Sequence, residues 1–491
     1  MNKRTRIRET FEHGEGVFRL IPVFVPRRFG QAGGRLRLHP HDYYALGTVR
    51  GSIKERWFSS VIPAMNGELA APDEGMSYVT ASDDPSDRFL LKDAVEELGA
   101  ALIGEELLRR FGTWPMYSKF FDYETPLFHH LHLTDTAAAA VGRIGKPEAY
   151  YFPPQLNNHA GQFPVTYFGY DPDVTKEQVK ERLLAYESAD TRITELSRAY
   201  RLELGTGWYT PPGVIHAPGS YLTYEPQWNS DVNSVQENVT AGEVYPYDFL
   251  VENCPEDKKR NIEYIISLLD WEKNVDPHYR KTYFRPPVCC AASNECYTER
   301  WIAYANAYVG AKELTVLPGQ TVTVRDLVAF GCIMIQGHGR FAGYEAEAAS
   351  MLRFGQMSAD EYFVSEPASR AGITITNASR WEPMVILKHF GPNHPEMPAT
   401  PMAVQSSPHR TGGIDEAAAL RGKERAHPGS LSRAQAGRAR QTESAIEPVL
   451  EQLGFRPGTA VRVRGALAAR RHPVHRAARQ PLRPGPGLQS G

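Results

Sequence analysis

His130 and His132 stand two residues apart, the spacing that turns both side chains to one face of a β-strand. Glu148 follows the turn Arg143-Ile-Gly-Lys-Pro147 and opens the next apolar run. His216 closes the segment Pro211-Pro-Gly-Val-Ile-His216, in which the Pro and Gly shape a turn and the His lies just beyond it on a strand. Three imidazoles and one carboxylate make a donor set for one first-row divalent metal, with positions left for substrate or water. A lone His is more often a core or surface residue, and His-x-His alone is a weak signal. The ordered combination of all three elements carries the assignment. His129 faces the other way on its strand and reads as structural.

That order, His-x-His, then a Glu opening a strand, then Pro-x-Gly-x-x-His, is the two-part cupin signature. Around it the chain resembles a narrower family, the class I mannose-6-phosphate isomerases. Ser118-Lys119-Phe-Phe-Asp122 precedes the His pair, Gly145-Lys146-Pro147-Glu148 is similar to the family's Gly-Lys-x-Glu, and Phe168-Gly-Tyr170 precedes Thr175-Lys-Glu-Gln178. Pro211–Ala217 and Glu225-Pro-Gln-Trp-Asn-Ser-Asp231 follow in the family's order, and Gly51-Ser-Ile-Lys-Glu55-Arg-Trp57 is similar to an earlier segment. The resemblance covers roughly residues 40–240. It implies a metal-dependent aldose–ketose isomerase of sugars or sugar phosphates, with one divalent metal, zinc first and iron, manganese or nickel as alternatives. It also implies that Lys146 handles protons, with a pKa lowered beside the cation. Lys119 and Lys146 are candidates to meet a phosphate. Glu225, Asn229 and Asp231 are candidates to bind sugar hydroxyls, whereas Trp208 and Trp228 read as core.

Two departures shape the functional expectation. His130 stands where the family usually has Gln, giving three His and one Glu. Val235 stands where the family carries a catalytic Arg, four residues past Asp231, so an unphosphorylated sugar becomes the more natural substrate. The competing readings are a metal-dependent oxygenase or lyase, favoured by three His, and a non-catalytic sugar-binding protein, favoured by Val235.

The elements that must position these residues are mainly strands. The expected fold is mainly β, a cupin β-barrel (jelly roll) with helical insertions at about 85–112 and 172–200, plus a second, degenerate cupin barrel. The first domain is placed at 1–275, the metal-free second at 276–395, and an Arg/Ala/Pro-rich, disordered tail at 396–491. Apolar spacing predicts one helix over 257–275, and Thr175-Lys-Glu-Gln178 predicts a capped helix start. His389 and His394 are expected at the surface. The second barrel is given a structural or dimerising role, which allows a homodimer without fixing the oligomeric state.

Composition narrows the class. Of 491 residues, 23% are charged and 42% hydrophobic, the balance of a globular protein. Residues 401–491 carry 14 Arg, one Lys and six acidic residues, a net +9, which leaves −11 on residues 1–400 and argues against nucleic-acid binding by the main body. No stretch has the run of about 18 apolar residues that a membrane span needs. Five Cys with no CxxC pair point to a reducing cytoplasm.

Overall fold

The computed structural model describes residues 2–157 and 164–401. The expected tail beyond residue 401, and a short helix anticipated near Glu443–Leu453, lie outside the described residues. The chain divides into the units Met1–Ser406 and Ser407–Gly491, and the description concerns the first. The fold is mainly β, with 30% strand against 22% helix. Among the described residues no helix is long and apolar enough to cross a membrane.

Two antiparallel sheets supply the site. The larger has seven strands, in the spatial order Phe284–Arg285, Gly207–Thr210, Glu148–Tyr151, Thr223–Trp228, Met116–Phe121, Ile53–Phe58 and Val23–Pro26. The smaller runs Ser197–Arg201, Val165–Tyr170, His216–Ala217, His130–Leu131 and Ser234–Val235. Met116–Phe121 and Thr223–Trp228 are buried at every position. One face of each meets the main core through Met116, Phe120 and Tyr224, and the other carries Lys119 and Glu225 into the space between the sheets. Burial on both faces therefore includes polar side chains, among them Ser118, Lys119, Glu225 and Gln227.

Two further sheets and a two-stranded ribbon, Val239–Thr240 with Glu243–Val244, accompany them among the described residues. A nine-stranded sheet is centred on Tyr297–Ala303, Gly310–Val316, Met384–Phe390 and Phe330–Gln336, and a four-stranded one contains Thr321–Val324, Ile373–Asn377, His338–Phe341 and Tyr344–Glu347. The nine-stranded sheet also takes in Val17–Ile21, Tyr78–Thr80 and Arg88–Leu90 from the N-terminal part of the chain.

The helix expected from Thr175 is present as Lys176–Leu184, with a capping box in which the Thr175 and Gln178 side chains reciprocally bind each other's backbone N–H. The single helix expected over 257–275 is instead broken into Glu256–Lys258, Ile262–Ser267 and Trp271–Asn274. Asn261 and Asp270 cause the breaks, because each caps a new helix start with its own side chain.

The expectation of surface positions for His389 and His394 is corrected: both are buried. His389 Nδ1 and the Tyr224 hydroxyl share a hydrogen bond of 2.9 Å that links the nine- and seven-stranded sheets, and His394 packs edge-on against Trp301 and Phe390. Nearby, Lys312 and Lys388 sit directly opposite each other on paired strands. Like charges so placed repel, and Glu299 and Asp326 resolve the repulsion. Lys312 Nζ lies 2.8 Å from Asp326 and 3.3 Å from Glu299, and Lys388 Nζ lies 2.5 Å from Asp326 and also binds Glu299. All four side chains are almost wholly buried. Removing one member strands its partners' charges, so Lys388→Met is expected to lower stability by about 3–5 kcal/mol. Denaturant unfolding checks this, and a loss under about 1 kcal/mol would mean that water reaches the cluster.

Candidate functional site

The His-x-His pair lies at the end of strand His130–Leu131. His130 pairs in register with His216 on one side and with Val235 on the other. Gly213, in the Pro-x-Gly-x-x-His turn, has φ of +80°, and its N–H donates to the His132 carbonyl at 2.7 Å. A side chain there would be strained and would crowd Asp270. The turn thereby fixes His216 beside the pair.

Each imidazole is anchored through Nδ1 to a backbone carbonyl: His130 to Phe128 at 3.0 Å, His216 to Val214 at 2.9 Å, and His132 to Val232 at 2.8 Å. A carbonyl only accepts, so Nδ1 carries the proton and each neutral ring presents a lone pair at Nε2. The rings converge, with centroids 4.3 to 5.0 Å apart, and one nitrogen from each lies within 4.8 Å of the others. Burial, together with neighbouring imidazoles, holds His130 well below its ordinary pKa. Burial likewise takes His132 down to about 4, with Glu148 opposing and Lys146 reinforcing. Neutral imidazole is the form that binds metal.

Glu148 opens the facing strand and points its carboxylate at these nitrogens. Oε2 lies 3.0 Å from His132 Nε2, and Oε1 lies 3.2 Å from His216 Nε2. With the tautomers fixed, lone pairs face lone pairs across both gaps; the Lys146 ammonium stands 3.1 Å from both atoms of the first, and the second has no such partner. His216 Nε2 and Glu148 Oε2 are buried and make no hydrogen bond of good geometry. A cation shared by the four groups resolves this, so the donor set fits a divalent metal. The hydroxyl of Tyr150 donates to Glu148 Oε1 at 2.6 Å and holds the carboxylate in place.

A cavity of about 390 Å³ opens beside the imidazoles. Lys146 Nζ lies 3.1 Å from Glu148, 3.1 Å from His132 Nε2 and 3.4 Å from Glu225. Lys119 Nζ lies 3.3 Å from Glu225 and 3.8 Å from Glu55. The lowering of the Lys146 pKa is expected beside a cation, and the protein groups by themselves act the other way. Burial alone would lower it, but the carboxylates of Glu148, Glu225 and Asp231 outweigh burial and raise it; a bound cation acts in the opposite sense. Burial pushes Glu225 up to about 8, with Glu148 adding to the rise.

Asp231 lines the cavity and accepts from Arg27 at 3.1 Å. Asn229 does not reach it. It lies one residue past the end of its strand, and its amide donates to the Trp114 carbonyl. Trp208 and Trp228 are core residues. His129 binds Glu237 at 2.8 Å, away from the other imidazoles. Val235 is buried against Phe128 and Tyr245.

Among the cavity residues outside the sequence expectations, Glu55 and Arg27 carry buried charge. Glu55 accepts two bonds from Arg27, each at 3.0 Å, and one from Trp57 at 2.8 Å. Burial would raise its pKa, but Arg27 and Lys119 bring it down to about 2. The similarity of Gly51–Trp57 to a family segment was the available signal for Glu55. Arg27 had none, because its partner Asp231 is 204 residues away.

No family model matches the chain, and no curated protein matches it. Solved structures do. One variant of phosphomannose isomerase from Salmonella typhimurium matches with a TM-score of 0.51 at 11% identity, over 76% of this chain and 99% of that one. Two further variants of the same enzyme match with a TM-score of 0.50, also at 11% identity and with the same coverage. At such identity the likeness establishes the fold, which is the cupin type of those isomerases.

If the four side chains share one ion, the purified protein is expected to hold about one divalent metal per chain, and the double variant His132→Ala, Glu148→Ala none. Because a bound ion stabilises the folded state by mass action, chelation should cost about 3–4 kcal/mol when free metal stands 100- to 1,000-fold above Kd. Elemental analysis and thermal melts check both. Full metal retention in the double variant would place the ion elsewhere.

Proposed function

We propose that this protein is a metal-dependent aldose–ketose isomerase acting on a sugar or sugar derivative. The observation that carries the reading is the convergence of three Nε2 atoms and a carboxylate beside a cavity holding Lys146, Lys119, Glu225 and Asp231. His130, His132, Glu148 and His216 would hold the ion, with zinc first and iron, manganese or nickel accepted by the same donors. Bound there, a divalent ion polarises the oxygens of the substrate as a Lewis acid.

The chain's own groups handle the protons and the positioning. Isomerisation takes a proton from one carbon and returns it to its neighbour, which needs a paired base and acid. Lys146 Nζ and the Glu225 carboxyl, 3.4 Å apart, form such a pair. Lys119, held by Glu225 and Glu55, keeps the Glu225 carboxyl in place beside Lys146. Asp231, fixed by Arg27, offers an acceptor to a hydroxyl. Tyr150 keeps Glu148 turned to the imidazoles. Burial of this whole set excludes water from the developing charge.

The second half of the unit, with no metal-binding group among its described residues, is proposed to be structural. Three His with one Glu also suit an iron-dependent oxygenase. Bound iron with substrate-dependent oxygen uptake, and no isomerisation, would select that alternative. On the isomerase reading, the metal-loaded protein turns over at least one member of an aldose and ketose panel. Lys146→Met is expected to lower kcat by about 10²- to 10⁴-fold, the usual weight of one acid–base group, with metal content unchanged. An unaltered kcat would remove Lys146 from the proton path.

A further inference from the structure

On the isomerase reading above, we propose that the site selects an unphosphorylated sugar and seats its far end, the carbons remote from the carbonyl, against an aromatic wall made by Phe29, Phe128 and Phe249. A 6-deoxyhexose, whose last carbon is a methyl group, is the best fit.

The wall begins at the metal-binding residues themselves. The Phe128 ring stands edge-on to His130 at 5.5 Å. Phe29 lies 5.0 Å from Phe128, and Phe249 lies 6.3 Å from Phe128 and 6.5 Å from Phe29. All three line the cavity. Phe29 and Phe249 are only half-buried, so their apolar faces remain open to an occupant. Val235 and Tyr245 back the wall from behind. An Arg at 235 would lie in apolar surroundings; Val fits them. Aromatic surfaces take the C–H face of a sugar, and pockets of this kind gain affinity by covering apolar area.

The cations complete the argument, because a phosphate needs donors that are free to meet it. Inside the cavity, Arg27 is committed to Glu55 and Asp231, Lys119 to Glu225 and Glu55, and Lys146 to Glu148 and Glu225. Arg50 is bound by both oxygens of Glu74. At the rim, Lys259 is paired with Glu256 at 2.6 Å, and the exposed Arg28 makes no ion pair among the described residues, with Asp248 and Glu252 on the same lining. A phosphate seated inside, against the wall, would have to break one of the inner pairs and lie beside the phenyl rings. A neutral sugar breaks none.

The test measures binding and turnover separately. Metal-loaded full-length protein is titrated by calorimetry with 6-deoxymannose, mannose and mannose 6-phosphate, and the same three are assayed for isomerisation. The expected result is binding of 6-deoxymannose at least about tenfold tighter than mannose 6-phosphate, which is about 1.4 kcal/mol. Phe249→Ser, at a half-exposed position, should weaken 6-deoxymannose several-fold while leaving metal content and the affinity for mannose 6-phosphate unchanged. Tighter binding of the phosphate, absence of binding by either neutral sugar, or an equal effect of Phe249→Ser on all three would overturn the proposal. Selective binding of the neutral sugars without turnover would instead overturn the isomerase reading and leave this one standing.

Discussion

The site depends on three hydrogen bonds from imidazole Nδ1 to backbone carbonyls. Phe128 and Val214 each hold the His two residues further along, while Val232 holds His132 from 100 residues away. A carbonyl cannot donate, so these bonds fix both the proton and the rotation of each ring. The central strands of the five-stranded sheet, the Pro211–His216 turn and the segment after Ser230 exist in their observed arrangement so that three lone pairs meet. The facing sheet then contributes one carboxylate at its strand start. Without the anchoring bonds the same four side chains would be flexible donors of no fixed geometry.

Around this point the protein meets a second constraint, the cost of burying charge. In the cavity, cations and carboxylates alternate from Arg27 through Glu55, Lys119, Glu225 and Lys146 to Glu148. In the other half of the unit, Lys312, Lys388, Glu299 and Asp326 close a quartet with no vacant coordination point. The first cluster leaves lone pairs unmatched and so invites an ion; the second matches every charge internally. Similar residue types give a candidate reactive centre in one place and a packed core in the other. The difference lies in three converging imidazoles, where the quartet is met by His394 alone, 3.8 Å from Asp326.

The legible part of the sequence was the part written locally. His130 and His132 declare a strand face by spacing, Pro211–His216 declares a turn, and Thr175 with Gln178 declares a helix start. Residues whose role depends on distant partners were not legible. Arg27 meets Asp231 only after the seven-stranded sheet has formed. His389 is buried because Tyr224 comes from another sheet, so a His near a chain segment's end looked exposed. The stretch 257–275 has a helical apolar stripe, but local caps at Asn261 and Asp270 divide it. Asn229 sits close to Glu225 in sequence, yet the strand ends before it and its amide turns to Trp114.

The central claim, that His130, His132, His216 and Glu148 hold one ion, is tested most directly by X-ray absorption spectroscopy on the purified metal-loaded protein. Three imidazole nitrogens and a carboxylate oxygen at about 2.0–2.2 Å from a zinc ion, with the imidazole signal reduced in His216→Ala, is the expected result. A shell built from thiolate sulfur, or from oxygen alone, or a spectrum unchanged by loss of His216, would contradict it.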